Sequence, residues 1–363
     1  MFNWQKINSV YYLSRSYFSK NQTYLILFVT SSCNSRCKMC FYWKNINNTK
    51  VKEELTLNEY IKISQKLKNL AYLSITGGEP ILREDLLEII HAFYINSNTR
   101  FVNITTNGSL PEKTNKLIRN LLIKCPNLNI KLSISLDGLE NIHDNIRGIN
   151  GLFKKALQTY NILLPLKNHR FALNIATTLS ALNKDHIFNF IDYVSQNLEI
   201  NDHTISFVRG DVKEASSKDI DLNAYSKTWH YLIKKEHKSV SGFFDFFNKL
   251  VQAMYELNQE TLNNDKMIVP CLAVKKFITI KENGDIYPCE IISYIFKNYK
   301  FIMGNLRDFD YDINKVLKNP KSKEIISFIK NSKCHCGFEC ANLCNIVLSK
   351  KNLLKFIIKR SVI

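Results

Sequence analysis

The sequence predicts an α/β protein: a partial (β/α)6 barrel of the TIM type, followed by a small C-terminal unit made of a β-hairpin and helices. Three observations lead to this fold class. Apolar, β-favouring segments alternate with helical patterns at intervals of about thirty to forty residues, which is typical of a parallel sheet with right-handed crossovers. Six such units fit an incomplete barrel better than a closed eight-fold one. Beyond them, the dipeptide Asn283-Gly284 separates two short apolar runs, which indicates a hairpin.

The predicted strands are short runs rich in β-branched, aromatic and leucine residues, and each ends near glycine, serine, asparagine or cysteine. They are Tyr24–Thr30, Tyr72–Thr76, Phe101–Thr105, Asn129–Ser135, Arg170–Thr177 and His203–Val208. Between them, apolar residues recur at three and four in segments such as Leu57–Leu70 and Asp85–Asn96, which predicts amphipathic helices.

Three divisions of the chain are expected. Residues 1–20 carry basic and apolar side chains without an acid, which suggests a cationic amphipathic helix; a helix closing the bottom of the barrel is the alternative. Residues 21–240 form the barrel, and residues 241–363 form the cysteine-rich unit. Residues 210–270 are charged and helical, and their sequence assigns no chemistry to them.

The composition limits the class of protein. The 363 residues have a normal apolar fraction of 45%, and ten cysteines in an enzyme-sized chain favour metal binding over a disulfide framework. No apolar run is long enough for a transmembrane helix, so a cytosolic protein is expected. The net charge of +18 implies an anionic partner or surface, although abundant lysine also results from a biased base composition of a genome.

Three cysteines directly follow the first predicted strand, with the spacing C-x3-C-x2-C: Cys33, Cys37 and Cys40. Three thiolates on one loop can hold three irons of a [4Fe–4S] cube, and the fourth iron would then be open to a ligand. A zinc loop or three unrelated thiols are the alternatives.

Polar and glycine-rich segments follow the later strands, where the loops of a barrel meet. Gly77 and Gly78 allow close approach of the backbone to a ligand, and Glu79 can accept from an amine. Asn107 follows the third strand. On the fourth strand, Ser133, Ser135 and Asp137 share one face, and a polar face inside a barrel is costly unless it meets a ligand or water.

A second group of cysteines lies in the last third of the chain. Cys271 precedes one arm of the predicted hairpin and Cys289 ends the other, so the hairpin can bring both thiols together. Four more cysteines follow within eleven residues: Cys334, Cys336, Cys340 and Cys344.

The first cysteine loop, including the aromatic residues Phe41 and Tyr42 after it, resembles the signature of the radical S-adenosylmethionine (SAM) enzymes. The order of the Gly-Gly-Glu-Pro and Ser-Leu-Asp-Gly segments agrees with this resemblance. The resemblance implies a [4Fe–4S] cluster on Cys33, Cys37 and Cys40 whose open iron binds SAM. It also implies that the remaining motif residues contact SAM. Among them, Arg147 would be a catalytic residue that clamps the SAM carboxylate. The alternative for Arg147 is an ion pair with Asp144. These motif residues are Tyr42, Gly77, Gly78, Glu79, Asn107, Ser135, Asp137 and Arg147.

The last third resembles the SPASM and twitch extensions of the same enzymes, which carry auxiliary iron–sulfur clusters. The final block departs from full SPASM because its spacing is C-x-C-x3-C-x3-C and no cysteine follows Cys344. The resemblance therefore implies one auxiliary [4Fe–4S] cluster, held by Cys271, Cys289 and two of Cys334, Cys336 and Cys340. A structural zinc on the last four cysteines is the alternative, and Cys125 is expected to be an ordinary buried thiol.

The function implied by the resemblance is reductive cleavage of SAM to a 5′-deoxyadenosyl radical, which abstracts hydrogen from an unactivated carbon. The expected substrate is a sugar, a cyclitol or a lipid-linked molecule that is oxidised or epimerised; a peptide maturase and a metal-stabilised binding module are the alternatives. An external electron donor of the flavodoxin or ferredoxin type is expected, and nucleic acid is not. The basic tail from Val347 to Ile363 suggests peripheral contact with a membrane; a helix packed on the barrel is the alternative.

Overall fold

The computed structural model describes residue 19 and residues 22–47, 53–236, 243–297 and 300–349. Nearly all of the predicted amphipathic segment at residues 1–20, the division near residue 240 and most of the basic tail lie outside these ranges. Within them, no helix is both long and apolar enough to cross a membrane.

The described residues contain one open sheet of nine strands. The six predicted strands are present, all parallel, in the order β6-β5-β4-β3-β2-β1, and β6 lies at the free edge of the sheet. This confirms the partial barrel. In chain order the strands are β1 (Tyr24–Phe28), β2 (Tyr72–Thr76), β3 (Phe101–Thr106), β4 (Asn129–Ser135), β5 (Phe171–Leu179), β6 (Asp202–Phe207), β7 (Phe277–Ile280), β8 (Asp285–Tyr287) and β9 (Gly304–Asn305).

Helices follow the parallel strands and cover the outer face of the sheet. The α-helices of the described residues are α1 (Leu57–Lys66), α2 (Leu86–Asn96), α3 (Pro111–Lys124), α4 (Glu140–Arg147), α5 (Leu152–Leu163), α6 (Ile187–Asn197), α7 (Leu222–Glu236), α8 (Phe243–Asn264), α9 (Ile292–Ile295), α10 (Ile313–Lys318), α11 (Pro320–Asn331) and α12 (Glu339–Val347). Short 3₁₀ turns occur at Pro80–Leu82, Leu164–Leu166, Lys184–His186, Ala215–Lys218 and Leu306–Phe309.

The alternation of side chains along each strand separates the apolar core from the barrel interior. On β4, Ile130, Leu132 and Ile134 are almost completely buried in the apolar core, while Ser133 and Ser135 line a central cavity. Successive residues of a strand point to opposite faces, so one strand serves both the core and the cavity. Cys125 belongs to the same core and is completely buried, as predicted.

The predicted hairpin is present, and it extends the barrel sheet. Strand β7 pairs with β1 in parallel, with Phe277 opposite Tyr24 and Ile280 opposite Leu27. Strand β8 returns antiparallel to β7 after a turn that contains Gly284 at φ +88°, and β9 pairs with β8. The cysteine-rich unit and the barrel therefore share one sheet, and the end of β7 lies beside the end of β1. The predicted domain limits remain predictions.

Candidate active site

A cavity of about 620 Å³ occupies the interior of the barrel. One part of its lining carries Cys33, Cys37 and Cys40, and another part carries Glu290, Glu339 and Cys340 from the cysteine-rich unit. The segments predicted from separate motifs therefore meet around one space.

The first cysteine loop leaves β1 and is fixed by hydrogen bonds to three other segments. Asn47 accepts from the Cys33 amide at 2.9 Å, and the α4 terminus accepts from the amides of Arg36 and Lys38. The amides of Lys213 and Glu214 donate to the carbonyls of Cys40 and Lys38. The loop is therefore held in place through its backbone, which leaves the three thiols directed at the cavity.

Burial makes these thiols weak acids. It raises the pKa of Cys33 to about 11 and that of Cys40 to about 12, and the neighbouring thiol of Cys37 raises both further. Burial also raises the pKa of Cys37, although Arg147, whose guanidinium lies 3.8 Å from its sulfur, opposes this effect. Three adjacent buried thiols become thiolates when a cationic partner replaces their protons, as iron does.

Arg147 lies at the end of α4 and is directed toward the cavity. Its Nε donates to the Asp137 carboxylate at 2.5 Å, and this carboxylate also accepts from the Thr178 amide at 2.8 Å. Asp144 instead accepts from the amides of Gly151 and Phe153 at the start of α5. Arg147 therefore pairs with Asp137, and the alternative of an ion pair with Asp144 is wrong.

Gly77 and Gly78 are required by the cysteine loop itself. A Cβ on Gly77 would lie 2.5 Å from the Thr30 carbonyl oxygen, and one on Gly78 would lie 2.1 Å from that of Ser32. The Gly78 amide donates to Thr30 and the Glu79 amide donates to Ser32. The sequence predicts that Gly77 and Gly78 let the backbone approach a ligand closely. In the structure, they let the backbone of this loop approach the backbone of the cysteine loop.

The Glu79 carboxylate already has partners inside the protein. It accepts from the Thr106 hydroxyl and the Asn107 amide, both at 2.7 Å, and from the Ile81 amide at 3.1 Å. Burial raises its pKa even though these hydrogen bonds act to lower it. Glu79 thus links the loops after β2 and β3.

Asn107 and Tyr42 also line the cavity, and both are held by neighbours. The Asn107 side chain donates to Asn34 at 2.8 Å and to Ser35 at 2.9 Å, within the cysteine loop. The Tyr42 hydroxyl donates to the Glu282 carboxylate in the β7–β8 turn, and its ring packs on Phe28. Tyr42 thereby connects the cysteine loop to the hairpin.

Four cysteines of the last third gather around a second, small cavity: Cys271, Cys289, Cys334 and Cys336. Burial raises the pKa of Cys289 well above its ordinary value, and the nearby thiols of the other three raise it further. Burial likewise raises the pKa of Cys336 to about 12. Four thiols are the full ligand set of a [4Fe–4S] cube.

Cys340 does not line this small cavity. Its thiol contacts the Tyr24 hydroxyl and lies near Glu290 and Arg209, on the wall of the barrel cavity. The thiol of Cys344 lies nearest to those of Cys340 and Cys271. The structure therefore groups Cys334 and Cys336 with the hairpin cysteines and leaves Cys340 facing the barrel.

The donor sets fit clusters better than single ions. Among the described residues, no three histidine, cysteine, aspartate or glutamate side chains converge closely enough to hold one metal ion. A cube separates its thiolates more widely than a zinc ion does. Three thiols on the first loop fit a cube with an open iron, and four thiols around the small cavity fit a closed one.

Sequence reasoning missed the ion pairs that join the segment after β6 to the cysteine-rich unit. Arg209, after β6, donates to Glu339 at 2.6 Å and to Glu290 at 3.0 Å, and it lies over the Phe338 ring. Glu290 directly follows Cys289, which would have been a usable signal. No local pattern marks Arg209.

Two family models match this chain. The radical SAM superfamily model matches residues 27–194, and the model of the SPASM iron–sulfur cluster-binding domain matches residues 271–342. Together they cover about two thirds of the chain. These families imply a SAM-binding [4Fe–4S] cluster with auxiliary iron–sulfur clusters, and the two groups of thiols lie inside the matched ranges.

Individual relatives are similar to this chain over most of its length. Uncharacterized protein MJ0907 of Methanocaldococcus jannaschii is 28% identical over 309 residues, which cover 83% of this chain and 92% of the relative. The AdoMet-dependent heme synthase of Methanosarcina barkeri is 26% identical over 297 residues, covering 77% of this chain and 78% of the relative.

Among solved structures, Streptococcus suis SuiB bound to S-adenosylmethionine is similar in fold. Its TM-score is 0.60 at 22% identity, over 97% of this chain and 78% of SuiB. The open barrel, the cysteine loop and the two family models lead to one conclusion. This chain belongs to the radical SAM superfamily and carries a SPASM iron–sulfur domain.

Proposed function

We propose that this radical SAM enzyme abstracts hydrogen from a carbon of a polyhydroxylated substrate, a sugar or a cyclitol, and so oxidises or epimerises it. The observation that carries the proposal is the set of small polar side chains on the inner face of the sheet, which line the cavity between the first cysteine loop and the cysteine-rich unit. A substrate bound there lies beside Cys33, Cys37 and Cys40 on the first cysteine loop and beside Cys340 of the cysteine-rich unit.

Different residues of this chain would bind the first cluster, the SAM amine and the SAM carboxylate. Cys33, Cys37 and Cys40 hold the cluster; when bound, cluster and SAM together supply the radical that removes the hydrogen atom. Because the Glu79 carboxylate is already hydrogen-bonded, the backbone of Gly77 and Gly78 is left to accept from the SAM amine. Arg147 offers its remaining N–H groups to the SAM carboxylate while Asp137 fixes its orientation. Asn107, Ser135 and Tyr42 complete this wall.

Small polar side chains on the inner face of the sheet suit a substrate with many hydroxyls. Ser133 donates to Asn103 at 2.9 Å, and Lys131 pairs with Asp202 at 3.0 Å, so the charges of this ion pair balance each other. Hydroxyl and amide groups donate and accept at once, as sugar hydroxyls do. A neutral polar substrate therefore replaces water here at little electrostatic cost.

The proposal has two further parts, which concern the electron donor and the form of the substrate. The external one-electron donor is a carrier of the flavodoxin or ferredoxin type, as the family requires a donor. A lipid-linked form of the substrate depends on the predicted segment at residues 1–20 and on the basic tail, most of which lie outside the described residues.

A second candidate is modification of a peptide. The solved structure of SuiB with the precursor peptide SuiA favours it, because that protein shares the fold of this chain at a TM-score of 0.59. The named relatives differ in substrate, so similarity alone does not choose between the candidates.

The test uses anaerobic protein with SAM, dithionite and fully deuterated substrates. Deuterium in 5′-deoxyadenosine from a deuterated sugar or cyclitol pool, and none from a deuterated peptide pool, is the expected result. Transfer from peptides alone would make the second candidate correct.

A matched pair of variants tests the polar lining of the cavity. Asn103→Ala should raise KM for the sugar, because Asn103 lines the cavity, whereas Asn115→Ala, on the outer helix α3, should not.

A further inference from the structure

Lys281 carries a buried ammonium group without a hydrogen-bond partner among the described residues. It is the first residue after β7, at the turn of the hairpin. Because β7 runs parallel to β1 with Ile280 opposite Leu27, Lys281 lies beside Phe28, at the point where the cysteine loop leaves the sheet.

Aromatic rings surround this ammonium. Its Nζ lies 3.2 Å from the centre of the Phe28 ring, 4.5 Å from that of Tyr42 and 6.0 Å from that of Tyr287. Such rings attract a cation through their electron-rich faces, yet they replace only part of the lost hydration. Burial accordingly lowers the pKa of Lys281 to about 8, against the opposing effects of Glu290, Glu282 and Cys289.

The two nearby carboxylates are already engaged elsewhere. Glu282 accepts from the Tyr42 hydroxyl, and Glu290 accepts from Arg209 at 3.0 Å. The third neighbour that favours the charge of Lys281 is Cys289, one of the four thiols around the small cavity, which becomes a thiolate when it binds iron. A buried positive charge of this kind is stabilised by a large negative one, and an iron–sulfur cube with four thiolates carries net negative charge.

We propose that Lys281 sets the reduction potential of the auxiliary cluster on Cys271, Cys289, Cys334 and Cys336. The proposal rests on the function proposed above, since it assumes that cluster. Reduction adds a negative charge to the cube, and a fixed ammonium nearby stabilises the reduced form. Net charge in its surroundings is one of the main determinants of a cluster's potential.

Lys281 is thus a positioning residue that acts through charge. Its side chain also reaches the rings of Phe28 and Tyr42, so a structural role has to be separated from the electrostatic one. Lys281→Met keeps the length and the apolar packing and removes the charge, while Lys281→Arg keeps the charge. Lys275→Met is the matched control, because Lys275 precedes the same strand and is exposed to solvent.

The experiment is an anaerobic redox titration of the reconstituted full-length enzyme, followed by electron paramagnetic resonance, with iron content measured on the same samples. A Cys37→Ala background isolates the auxiliary signal. Lys281→Met should shift the auxiliary potential to more negative values, whereas Lys281→Arg and Lys275→Met should leave it near the wild-type value.

An unchanged potential in Lys281→Met with full iron content would overturn the proposal. If Lys281→Met fails to take up iron, Lys281→Gln, which keeps a polar end, provides the same comparison. Failure of the function proposed above is distinguishable, because it would show as no deuterium transfer from sugars or cyclitols, while the auxiliary potential and its response to Lys281→Met would still be measured.

Discussion

Arg147 illustrates how one side chain serves two groups at the residue scale. Burial opposes its charge, but Asp137 and then Cys37 raise its pKa above the ordinary value, so the guanidinium stays protonated. Its side chain is 12% exposed and that of Asp137 is completely buried, so the pair is little screened by water. Removing one partner of such a pair leaves the other charge buried and without a counter-ion.

Replacement of Arg147 should therefore cost both stability and SAM binding. Arg147→Gln is expected to lower the free energy of unfolding of the cluster-free protein by about 3 kcal/mol, because Asp137 loses its partner. SAM affinity should fall at least tenfold in both Arg147→Gln and Arg147→Lys, since lysine keeps the charge without the planar fork. Urea unfolding and equilibrium binding of SAM measure the two effects. Wild-type SAM affinity in Arg147→Lys would contradict the proposed carboxylate clamp.

The cysteines of the final block should separate by their iron content. Cys336→Ala should lose the iron of one cube, about four atoms, because its thiol belongs to the four around the small cavity. Cys340→Ala should retain all of it, since that thiol faces the barrel. Iron and sulfide analysis after anaerobic reconstitution measures this, with the core residue variant Cys125→Ala as the control. Loss of iron from Cys340→Ala would return Cys340 to the ligand set.

At the scale of elements, the loop after β2 is shaped by the loop after β1. Gly78→Ala should displace the cysteine loop, because the new Cβ would lie 2.1 Å from the Ser32 oxygen. Overpacking of this kind costs about 1 to 3 kcal/mol and moves backbone, so SAM cleavage should fall. Gly151→Ala is the control: apart from its chain neighbours, no atom of the described residues lies within 4 Å of the added Cβ, and its φ of +76° costs only about 1 kcal/mol. Equal SAM cleavage rates in the two variants would disprove the steric account.

The elements themselves were largely predictable, since β2 and β4 have the predicted bounds and the other four strands of the barrel differ by one or two residues at one or both ends. Their apolar periodicity is local information. The pairing of β7 with β1 joins residues about 250 positions apart, and no local pattern encodes it. The division of Cys334 and Cys336 from Cys340 was unpredictable for the same reason: spacing gives the number of thiols, while the turn before α12 decides their directions.

For the whole molecule, the barrel and the cysteine-rich unit are joined by charge as well as by the sheet. Glu59, on α1, accepts from Arg307 at 2.6 Å and from Tyr311 at 3.1 Å, both on the segment after β9. Burial acts to raise the pKa of Glu59, but the hydrogen bonds from Arg307 and Thr56 outweigh it and lower the pKa to about 2. The ionised carboxylate is thus the form that stabilises the contact.

This contact makes stability depend on pH in a defined window. A carboxyl group whose pKa falls on folding stabilises the fold above its ordinary value of 4.5, and the contribution is lost as the pH falls toward about 2. Because solvent partly screens the pair, Glu59→Gln should lower the free energy of unfolding by about 1 to 2 kcal/mol at pH 6. The difference between wild type and variant should shrink between pH 4.5 and pH 3. Urea unfolding of the cluster-free protein at several pH values measures this difference.

The control is Asp310→Asn, which removes an exposed ion pair with Lys315 and should leave the free energy of unfolding nearly unchanged. A difference between wild type and Glu59→Gln that stays constant down to pH 3 would mean that Glu59 contributes through packing, and that its charge does not join the two parts of the molecule.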